Sequence, residues 1–402
     1  MQKLIRGLIQ KNKTKIILIV LDGLGGLPIN GKTELELANT PNLDALAMKS
    51  ACGLHIPVSM GIIPGSGPGH LALFGYDPVE WQIGRGVLEA LGLGIDLGKT
   101  DIAVRVNYAT MKEGIVKDRR AGRIPTEQSK RITERLQESI RRIDDVEIIF
   151  APGMEHRFAI VLRFPEPLPA GAALIKDTDP QKEGKEPVAV TPETHEAKRA
   201  ATIVEKLITK VTDNLKNEPV ANAVLLRGFA QIPDMPRFED IYGLKPLCIA
   251  VYPMYRGLAK LVGMDAPDLK GDVEEEIDFL KTNYEQYDFF FVHVKKIDSY
   301  GEDGNFQGKA LKTEEFDSAL PDILRLKPDV LIITGDHSTP SVLKSHSWHP
   351  VPVLLNSPFV LGRTGKSFSE RECLKGELGI FPTIHIMTLA LANSGRLKKF
   401  GA

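Results

Sequence analysis

The sequence predicts an α/β fold in which a mostly parallel sheet, flanked by helices, is interrupted by an inserted α+β domain. Aliphatic strands alternate with amphipathic helices towards both ends of the 402-residue chain, which is the pattern of a parallel sheet. The middle of the chain has a different order of strands and helices, and the chain is longer than one hydrophobic core usually supports. We therefore expect a discontinuous α/β domain at residues 1–96 and 243–402, and an inserted domain at 97–242.

The first strand is expected at Lys15–Leu21, a continuous aliphatic run that suits burial on both faces. Helices are expected at Asn42–Lys49 and Gly84–Gly94, with a Gly/Pro loop at Pro64–His70 between them. In the inserted segment the sequence predicts strands at Ile102–Tyr108, Glu147–Phe150, Phe158–Arg163 and Val224–Gly228, helices at Thr126–Ile143 and Glu193–Asn217, and a long loop at Pro165–Pro192.

Alternation of strand and helix returns near residue 243. The sequence predicts strands at Pro246–Val251, Phe289–Val294, Val330–Ile333, Val351–Leu355 and Phe359–Leu361, and helices at Asp272–Tyr284, Glu314–Leu326 and Thr383–Leu391. The return of this pattern indicates that the two ends of the chain complete one domain.

The composition is that of an ordinary globular protein, with 43% hydrophobic and 26% charged residues. A formal net charge of −1 gives no electrostatic reason to expect a nucleic-acid or membrane partner. The cysteines Cys52, Cys248 and Cys373 are widely spaced and form no disulfide framework, and no apolar run is long enough for a signal peptide or a membrane span. We expect a cytoplasmic protein, and the composition leaves a homo-oligomer open.

Acidic and histidine side chains follow three of the expected strands. Asp22 comes after the first strand, Asp298 after the run FFFVHV, and Asp336 and His337 after the run VLIIT. Ligands of open α/β sheets bind beyond the carboxyl ends of the strands, and carboxylates gathered in a partly buried place need cations. Mixed oxygen and nitrogen donors suit Mn²⁺, Zn²⁺, Co²⁺ or Mg²⁺. Each aspartate alone is equally typical of a turn or a helix cap, so the prediction of a binuclear metal site rests on the set.

Ser66 is a candidate nucleophile. It lies between Gly65 and Gly67, so little hinders the approach of an electrophile to its hydroxyl. A helix that begins near Gly67 would favour a phosphate bound at that oxygen, and a metal ion on the hydroxyl would lower its pKa. A flexible turn is the alternative interpretation of the GSG triplet by itself.

Taken in chain order, these motifs resemble the alkaline phosphatase superfamily and, more narrowly, the cofactor-independent (2,3-bisphosphoglycerate-independent) phosphoglycerate mutases of the archaeal type. The resemblance covers nearly the whole chain. It rests on Val20–Gly23 (VLDG), Ser66–His70 (SGPGH), Asp118–Arg123 (DRRAGR), Tyr255–Ala259 (YRGLA), Asp336 with His337, and His346–Pro352 (HSWHPVP). It implies an alkaline-phosphatase-like fold and the interconversion of 3-phosphoglycerate and 2-phosphoglycerate in glycolysis and gluconeogenesis, with no bisphosphoglycerate.

The resemblance also implies two divalent metal ions, with manganese as the first candidate. The matching ligands are Asp22, Ser66, Asp336 and His337 for one ion, and Asp298, Glu302 and His346 for the other. The family usually has a histidine where this chain has Glu302. A carboxylate there adds a negative charge and favours harder metals, so we expect the site to survive with an altered metal preference.

In such a family member Ser66 would attack the phosphate and form a phosphoserine, and an enclosed glycerate would take the phosphoryl group back on its other hydroxyl. Guanidinium forks suit the carboxylate and phosphate of this substrate. The candidates are Arg119, Arg120 and Arg123 in the inserted domain and Arg256 after it. The alternative for each is a solvated surface arginine.

Two other functions stay open at this point. The first is another phosphotransferase or phosphatase of the same superfamily, such as a homoserine kinase-like enzyme, because the metal site would be nearly the same. The second is a metal-poor, non-catalytic homologue, and its only support is Glu302.

Overall fold

The computed structural model describes residues 2–362 and 365–401. The chain forms two compact units: a discontinuous unit, Met1–Gln82 with Met235–Ala402, and an inserted unit, Ile83–Asp234. The inserted unit thus begins earlier than residue 97 and ends earlier than residue 242. The helix Arg85–Gly92 belongs to it, because this helix packs so closely on a strand of that unit that a Cβ on Gly86 would lie 2.2 Å from the carbonyl oxygen of Ala103.

The strands and helices of the described residues are numbered in chain order. The strands are β1 (Ile16–Leu21), β2 (Ala51–Ile56), β3 (Asp101–Lys112), β4 (Ile115–Asp118), β5 (Arg142–Ile143), β6 (Val146–Pro152), β7 (Arg157–Arg163), β8 (Ala223–Ala230), β9 (Pro246–Ala250), β10 (Phe289–Val294), β11 (Val330–Thr334), β12 (Val351–Asn356) and β13 (Gly379–Pro382). The α-helices are α1 (Gln2–Leu8), α2 (Glu34–Leu37), α3 (Pro41–Ala47), α4 (Ser66–Leu73), α5 (Arg85–Gly92), α6 (Thr126–Ser139), α7 (Lys198–Leu215), α8 (Phe238–Tyr242), α9 (Pro253–Leu261), α10 (Val273–Asn283), α11 (Lys296–Glu302), α12 (Phe306–Leu324), α13 (Glu370–Cys373) and α14 (Ile386–Asn393). Short 3₁₀ turns lie at Ala121–Arg123, Tyr284–Gln286 and Thr383–His385.

The discontinuous unit is built on a sheet of strand order β13-β2-β12-β11-β1-β10-β9. Every neighbouring pair is parallel except those of β12, which runs antiparallel to β11 and to β2. All residues of β1, β10 and β11 are buried, as their aliphatic and aromatic sequences predict. The predicted fold class, a mostly parallel sheet flanked by helices, is confirmed.

The order of the strands decides which chain ends meet. Strand β1 pairs in parallel with β10 on one side and with β11 on the other, in a register that puts Leu21 opposite Val294 and Val20 opposite both His293 and Thr334. The carboxyl ends of the three strands therefore lie at one edge of the sheet, at the centre of the unit.

The inserted unit has an antiparallel sheet of order β4-β3-β7-β6-β5, with β8 paired to β3. Its core lies between this sheet and helices α6 and α7, where Tyr108 and Phe158 stack with ring centroids 4.4 Å apart. Strands followed by long amphipathic helices are typical of an α+β arrangement.

Several expected elements differ from the observed ones. Residues 359–361 lie in a turn and the loop after it rather than in a strand, and Phe359 and Leu361 are 76% and 86% exposed, so their apolar character does not reflect burial. The expected helix Thr126–Ile143 ends at Ser139, and its last residues form the short strand β5. The strands β2 and β13 were not predicted, because glycine, histidine and proline interrupt their apolar pattern.

The three cysteines are free thiols, all buried. Among the described residues, no helix combines the length and apolarity required to span a bilayer. The structure thus gives no disulfide cross-link to the fold, whose stability rests on the two buried cores.

A buried carboxyl group in α10 makes the stability of the discontinuous unit depend on pH. Glu276 is 4% exposed and accepts a hydrogen bond from the backbone N–H of Val251 at 3.2 Å. Burial raises the pKa of Glu276 from its ordinary 4.5 to about 8. Because the folded state holds the proton more tightly than the unfolded state, the stabilisation is complete below about pH 4.5 and is lost as the pH rises towards 8.

We expect Glu276→Gln to flatten this pH dependence. Glutamine keeps an acceptor for Val251 and cannot ionise, so the melting temperature of the variant should exceed that of the wild type at pH 8 and approach it near pH 5. Thermal unfolding across this range measures the effect, with Glu274→Gln, an exposed change in the same helix, as the control. An unchanged pH slope in Glu276→Gln would contradict the prediction.

Candidate metal centre

Three aspartates meet at the edge where β11, β1 and β10 end. Asp22 directly follows β1, Asp336 follows β11 by two residues, and Asp298 lies in the first turn of α11, which follows β10. Asp22 and Asp336 are fully buried, and Asp298 is 2% exposed. Adjacent parallel strands and one short helix therefore position three acidic side chains at a single buried site.

The first group of candidate ligands consists of Asp22, Asp336 and His337, whose ligand atoms all lie within 4.8 Å of one another. His337 Nε2 is 3.4 Å from Asp22 Oδ1 and 3.1 Å from Asp336 Oδ2. Ser66 Oγ is 3.3 Å from the same nitrogen. The structure thus brings together the four side chains expected to hold one ion.

The second group consists of Asp298, His337 and His346, again with ligand atoms within 4.8 Å of one another. His346 Nε2 is 3.7 Å from Asp298 Oδ1, and the imidazoles of His337 and His346 stack with centroids 3.6 Å apart. The sequence assigns His337 to one ion only, whereas the geometry puts its Nε2 or Nδ1 within reach of both groups.

A hydrogen bond fixes the orientation of His346. Its Nδ1 lies 2.9 Å from the carbonyl oxygen of Pro64, and a carbonyl can only accept, so Nδ1 must carry the proton. The lone pair of His346 is then on Nε2, the atom that faces Asp298. Metal-ligating histidines commonly have their other nitrogen held in this way.

Ser66 is the first residue of α4, so the amino-terminal end of that helix faces any group bound to its hydroxyl. The helix lies very close to the loop after β11, because a Cβ on Gly69 would be 2.5 Å from the carbonyl oxygen of Asp336. His70, one turn into the helix, has its Nδ1 2.8 Å from Ser66 O and 3.3 Å from Asp336 Oδ2. A larger residue than Gly69 would push the serine away from the aspartates.

The charges of the cluster are only partly balanced. Lys295 Nζ lies 2.9 Å from Asp22 Oδ2 and 2.7 Å from Asp298 Oδ2. Burial opposes ionisation of Asp22, but His293 and Lys295 more than offset it and hold the pKa of Asp22 well below its usual range. Burial and the neighbouring carboxylates raise the pKa of Asp336 well above its usual range. One ammonium is therefore insufficient for three carboxylates, and the last of them resists ionisation.

The cluster has the properties of a cation site. Asp22 Oδ1 and Asp336 Oδ2 are buried and have no hydrogen-bond partner, although buried carboxylate oxygens are normally satisfied. Both lie beside His337 Nε2, whose pKa is held well below its usual range by burial, so the imidazole stays neutral. Neutral imidazole and carboxylate oxygens are suitable donors for a divalent metal ion, and the residues present fit one.

Comparison with known proteins places the chain in a family. A family model described as 2,3-bisphosphoglycerate-independent phosphoglycerate mutase matches residues 47–221. The chain is 63% identical over 401 residues to a probable 2,3-bisphosphoglycerate-independent phosphoglycerate mutase of Aquifex aeolicus, with 98% of each chain covered. It is 52% identical over 404 residues to the corresponding protein of Thermotoga maritima, covering 100% of this chain and 99% of the relative. The chain belongs to the 2,3-bisphosphoglycerate-independent phosphoglycerate mutase family.

Two solved structures are similar to this chain along nearly its whole length. The cofactor-independent phosphoglycerate mutase of Thermoplasma acidophilum is 28% identical, with a TM-score of 0.75 over 95% of this chain and 100% of its own. The PH0037 protein of Pyrococcus horikoshii is 30% identical, with a TM-score of 0.79 over 98% and 100% of the two chains. The similarity to the Thermoplasma mutase extends over both units.

Glu302 lies at the rim of the centre and not inside it. Its side chain is 54% exposed, and its Oε1 is 3.7 Å from His346 Nε2, outside both groups of close ligand atoms. Burial and then the charge of Asp298 raise the pKa of Glu302 above its usual value. The position where the family resemblance implies a histidine is thus the most solvent-accessible of the expected ligands.

The four expected substrate arginines have different surroundings. In the inserted unit Arg119 forms two 2.7 Å hydrogen bonds with Asp179, and Arg123 lies 3.8 Å from Glu155. In the discontinuous unit Arg256 pairs with Asp268 at 2.7 Å and donates to backbone carbonyls, including that of Val251. The fourth candidate is Arg120, which directly follows Arg119 in the chain. Arg119 and Arg256 therefore already have carboxylate partners, and their contact with substrate remains a prediction.

Strand register in the inserted unit brings further basic residues together, including Arg157 and Arg227, which are weaker candidates for substrate contact than the four above. Arg105 of β3 lies opposite Arg227 of β8, and Asn107 of β3 lies opposite Arg157 of β7. Directly opposed residues, and residues two apart in one strand, share a face of the sheet. Only pairing of strands distant in sequence brings these side chains to one face, so sequence motifs could not show that they lie together.

Two further residues of the centre were not predicted from the sequence. Tyr255 donates its hydroxyl to Asp22 Oδ2 at 2.6 Å, and His293 Nε2 is 3.4 Å from the same oxygen. Burial lowers the pKa of His293 to about 4, so this imidazole is neutral near pH 7. The alternation in FFFVHVKK placed His293 in a buried strand, but nothing in the sequence indicated that it faces Asp22.

Lys295 also lines a cavity of about 1000 Å³ in the discontinuous unit. The walls of the cavity are formed by α10, α12 and the residues that follow β9, with Tyr252 and Lys312 among them. Lys295 is therefore accessible from this cavity while its ammonium contacts Asp22 and Asp298.

Addition of Mn²⁺ to metal-stripped protein should raise its melting temperature. An ion that binds only the folded state stabilises it by about 2.7 kcal/mol at a free concentration 100 times its Kd. Asp336→Asn should lose most of this shift, because it removes a central carboxylate. Differential scanning fluorimetry with and without Mn²⁺ checks this, and Asp317→Asn, which changes a buried carboxylate of α12 bound to Leu43 N, should keep the shift. An equal shift in both variants would refute the metal site.

Replacement of Glu302 by histidine tests whether the rim position controls metal choice. Imidazole suits softer ions than carboxylate does, so Glu302→His should favour Zn²⁺ or Co²⁺ over Mg²⁺ and Mn²⁺ relative to the wild type. Metal competition followed by elemental analysis measures the preference. Tight metal binding that occurs only in the variant would mean that the natural chain has lost its metal centre.

Proposed function

We propose that this protein interconverts 3-phosphoglycerate and 2-phosphoglycerate without bisphosphoglycerate, through a phosphoserine on Ser66. The observation that carries the proposal is the position of Ser66 Oγ, at the first turn of α4 and 3.3 Å from His337 Nε2. A nucleophile beside a buried carboxylate and imidazole cluster suits phosphoryl transfer. The names of relatives that match along nearly the whole chain support phosphoglycerate as the substrate.

We further propose that two divalent ions are held here, with Mn²⁺ as the first candidate. One would be held by Asp22, Ser66, Asp336 and His337, and the other by Asp298, His346 and Glu302. When bound, the ions would lower the pKa of the serine hydroxyl and neutralise negative charge on the transferring phosphoryl group. The two unpartnered carboxylate oxygens, on Asp22 and Asp336, favour the first ion. The close approach of the ligand atoms of Asp298, His337 and His346 favours the second.

The chemical steps balance within the chain and its substrate. Ser66 Oγ forms a bond to phosphorus as the phosphorus–oxygen bond to glycerate breaks, and the proton lost by Ser66 matches the one that the glycerate oxygen gains. The reverse transfer to the other hydroxyl of glycerate restores Ser66. The ammonium of Lys295, which contacts Asp22 and Asp298, is suited to hold a phosphate oxygen near the serine.

Water must be excluded while the phosphoserine exists, because hydrolysis would turn a mutase into a phosphatase. Binding of the glycerate carboxylate is the role that we propose for the candidate arginines Arg119, Arg120, Arg123 and Arg256. Arg123 has a 59% exposed side chain and only a long ion pair with Glu155, so its guanidinium is free to take a carboxylate. The cytoplasmic location also remains a prediction of the sequence.

Ser66→Ala should abolish mutase turnover. Formation of phosphoenolpyruvate from 3-phosphoglycerate, coupled through enolase with Mn²⁺ present and bisphosphoglycerate absent, measures the reaction. Ser50→Ala, which changes a buried serine bonded to the carbonyl of Leu46, should remain active.

Other outcomes would replace the proposal. Release of free phosphate in place of phosphoenolpyruvate would indicate a phosphatase of the same superfamily. Full activity in Ser66→Ala would eliminate the phosphoserine route. If the wild-type protein were inactive with every divalent ion tested, the protein would act on a different substrate or be a non-catalytic homologue.

A further inference from the structure

We propose that Thr339 is a positioning residue of the metal centre: its hydroxyl selects the tautomer of His337 and links the two ligand groups. The proposal rests on the proposed metal-dependent function. Thr339 is fully buried, lies two residues after His337, and belongs to none of the motifs by which the family was identified. Its hydroxyl contacts one carboxylate and one imidazole of the centre, those of Asp298 and His337.

The protons of this contact can be assigned from chemistry alone. Thr339 Oγ1 is 2.8 Å from Asp298 Oδ1 and 2.9 Å from His337 Nδ1. A carboxylate can only accept, so the single hydroxyl proton goes to Asp298. The hydroxyl oxygen must then accept from His337, which requires a proton on Nδ1. The lone pair of His337 is thereby on Nε2, the atom that faces the aspartates and Ser66.

The hydroxyl connects the two groups of candidate ligands. Asp298 belongs to one group only, whereas His337 belongs to both. A change in the position or charge of the Asp298 carboxylate is therefore transmitted to the imidazole through one oxygen atom. His346 has no equivalent link, because its Nδ1 is held by the carbonyl of Pro64, and a carbonyl cannot also donate to a carboxylate.

The backbone of Thr339 is itself held on both sides. Its N–H lies 3.1 Å from the carbonyl oxygen of Gly25 and 3.3 Å from that of Gly23, in the loop after β1. Its carbonyl oxygen accepts from Lys309 Nζ at 2.9 Å, and the same ammonium donates to Gly25 O at 2.9 Å. Lys309 is 1% exposed, so this cation fastens the loops after β1 and β11 to α12.

The space around the hydroxyl of Thr339 is too small for another hydrogen-bonding group to replace it. A Cβ on Gly23 would lie 2.7 Å from Thr339 Oγ1 and 2.8 Å from Asp298 Oδ1, and a Cβ on Gly301 would lie 2.4 Å from the carbonyl oxygen of Thr339. A valine at 339 would fill the same volume without a hydrogen-bonding atom. Both Asp298 Oδ1 and His337 Nδ1 would then lose a partner in a buried place, which is costly.

The test compares Thr339→Val with Thr339→Ser, which keeps the hydroxyl. Metal-stripped protein is titrated with Co²⁺ alone and followed by its visible absorption. We expect Thr339→Val to weaken Co²⁺ binding by about 10–100-fold, the usual effect of removing a partner of a metal ligand, and Thr339→Ser to bind as the wild type does. The matched control is Thr383→Val, which removes a buried hydroxyl 2.5 Å from Nδ1 of His55, a histidine outside both ligand groups.

A second measurement does not need metal. Nitrogen-15 NMR of the histidine rings in metal-free protein should show the Nδ1–H tautomer of His337 in the wild type and in Thr339→Ser, and a mixture of tautomers in Thr339→Val. The signal is assigned by its loss in His337→Asn.

The outcomes separate this proposal from the proposed function. Equal Co²⁺ affinity and an unchanged tautomer in Thr339→Val would overturn the role of Thr339. A wild type that binds no Co²⁺ would instead remove the metal centre, and the tautomer measurement would still decide whether Thr339 orients His337.

Discussion

Repulsion among three buried aspartates is the constraint on which the rest of the centre depends. Asp22, Asp298 and Asp336 are brought together because β11, β1 and β10 are adjacent and parallel, so their carboxyl ends share one edge of the sheet. Carboxyl groups that are buried together cannot all remain ionised without cations. The raised pKa of Asp336 and the depressed pKa of Asp22 express this conflict within a single cluster. The divalent ions proposed above would relieve this repulsion.

The surrounding residues hold the cluster in place while leaving its charge incomplete. Lys295 supplies one positive charge between Asp22 and Asp298, and Tyr255 supplies a hydrogen bond. Lys309 has a different function, since it neutralises no ligand directly and instead binds the backbone carbonyls of the two loops that carry Asp22 and His337. A buried ammonium suits this function because it can donate to several carbonyl oxygens at once.

The expected ligands differ in how tightly their surroundings hold them. The fully buried ligands are bound by several neighbours, and glycines such as Gly69 allow those neighbours to approach closely. Glu302 is half exposed and outside both close groups, so a carboxylate there can be solvated when no metal compensates it. We therefore expect a change of side chain to be better tolerated at this rim position than at Asp336 or His337.

The sequence alone determined the α/β class, the inserted segment and the side chains that follow the three strands, because aliphatic runs and their terminal residues are local features. It also determined the family, because short motifs in a specific order need no coordinates. The tertiary structure decided which strands are neighbours, and hence that His337 is shared by both groups and that His293 and Tyr255 contact Asp22. It alone identified Thr339 and Lys309, because the contact of Thr339 with Asp298 and those of Lys309 with Gly25 and Thr339 join residues that are 30 or more positions apart. The physical reason is that periodicity reports whether a side chain is buried, whereas its partners depend on the pairing of distant strands.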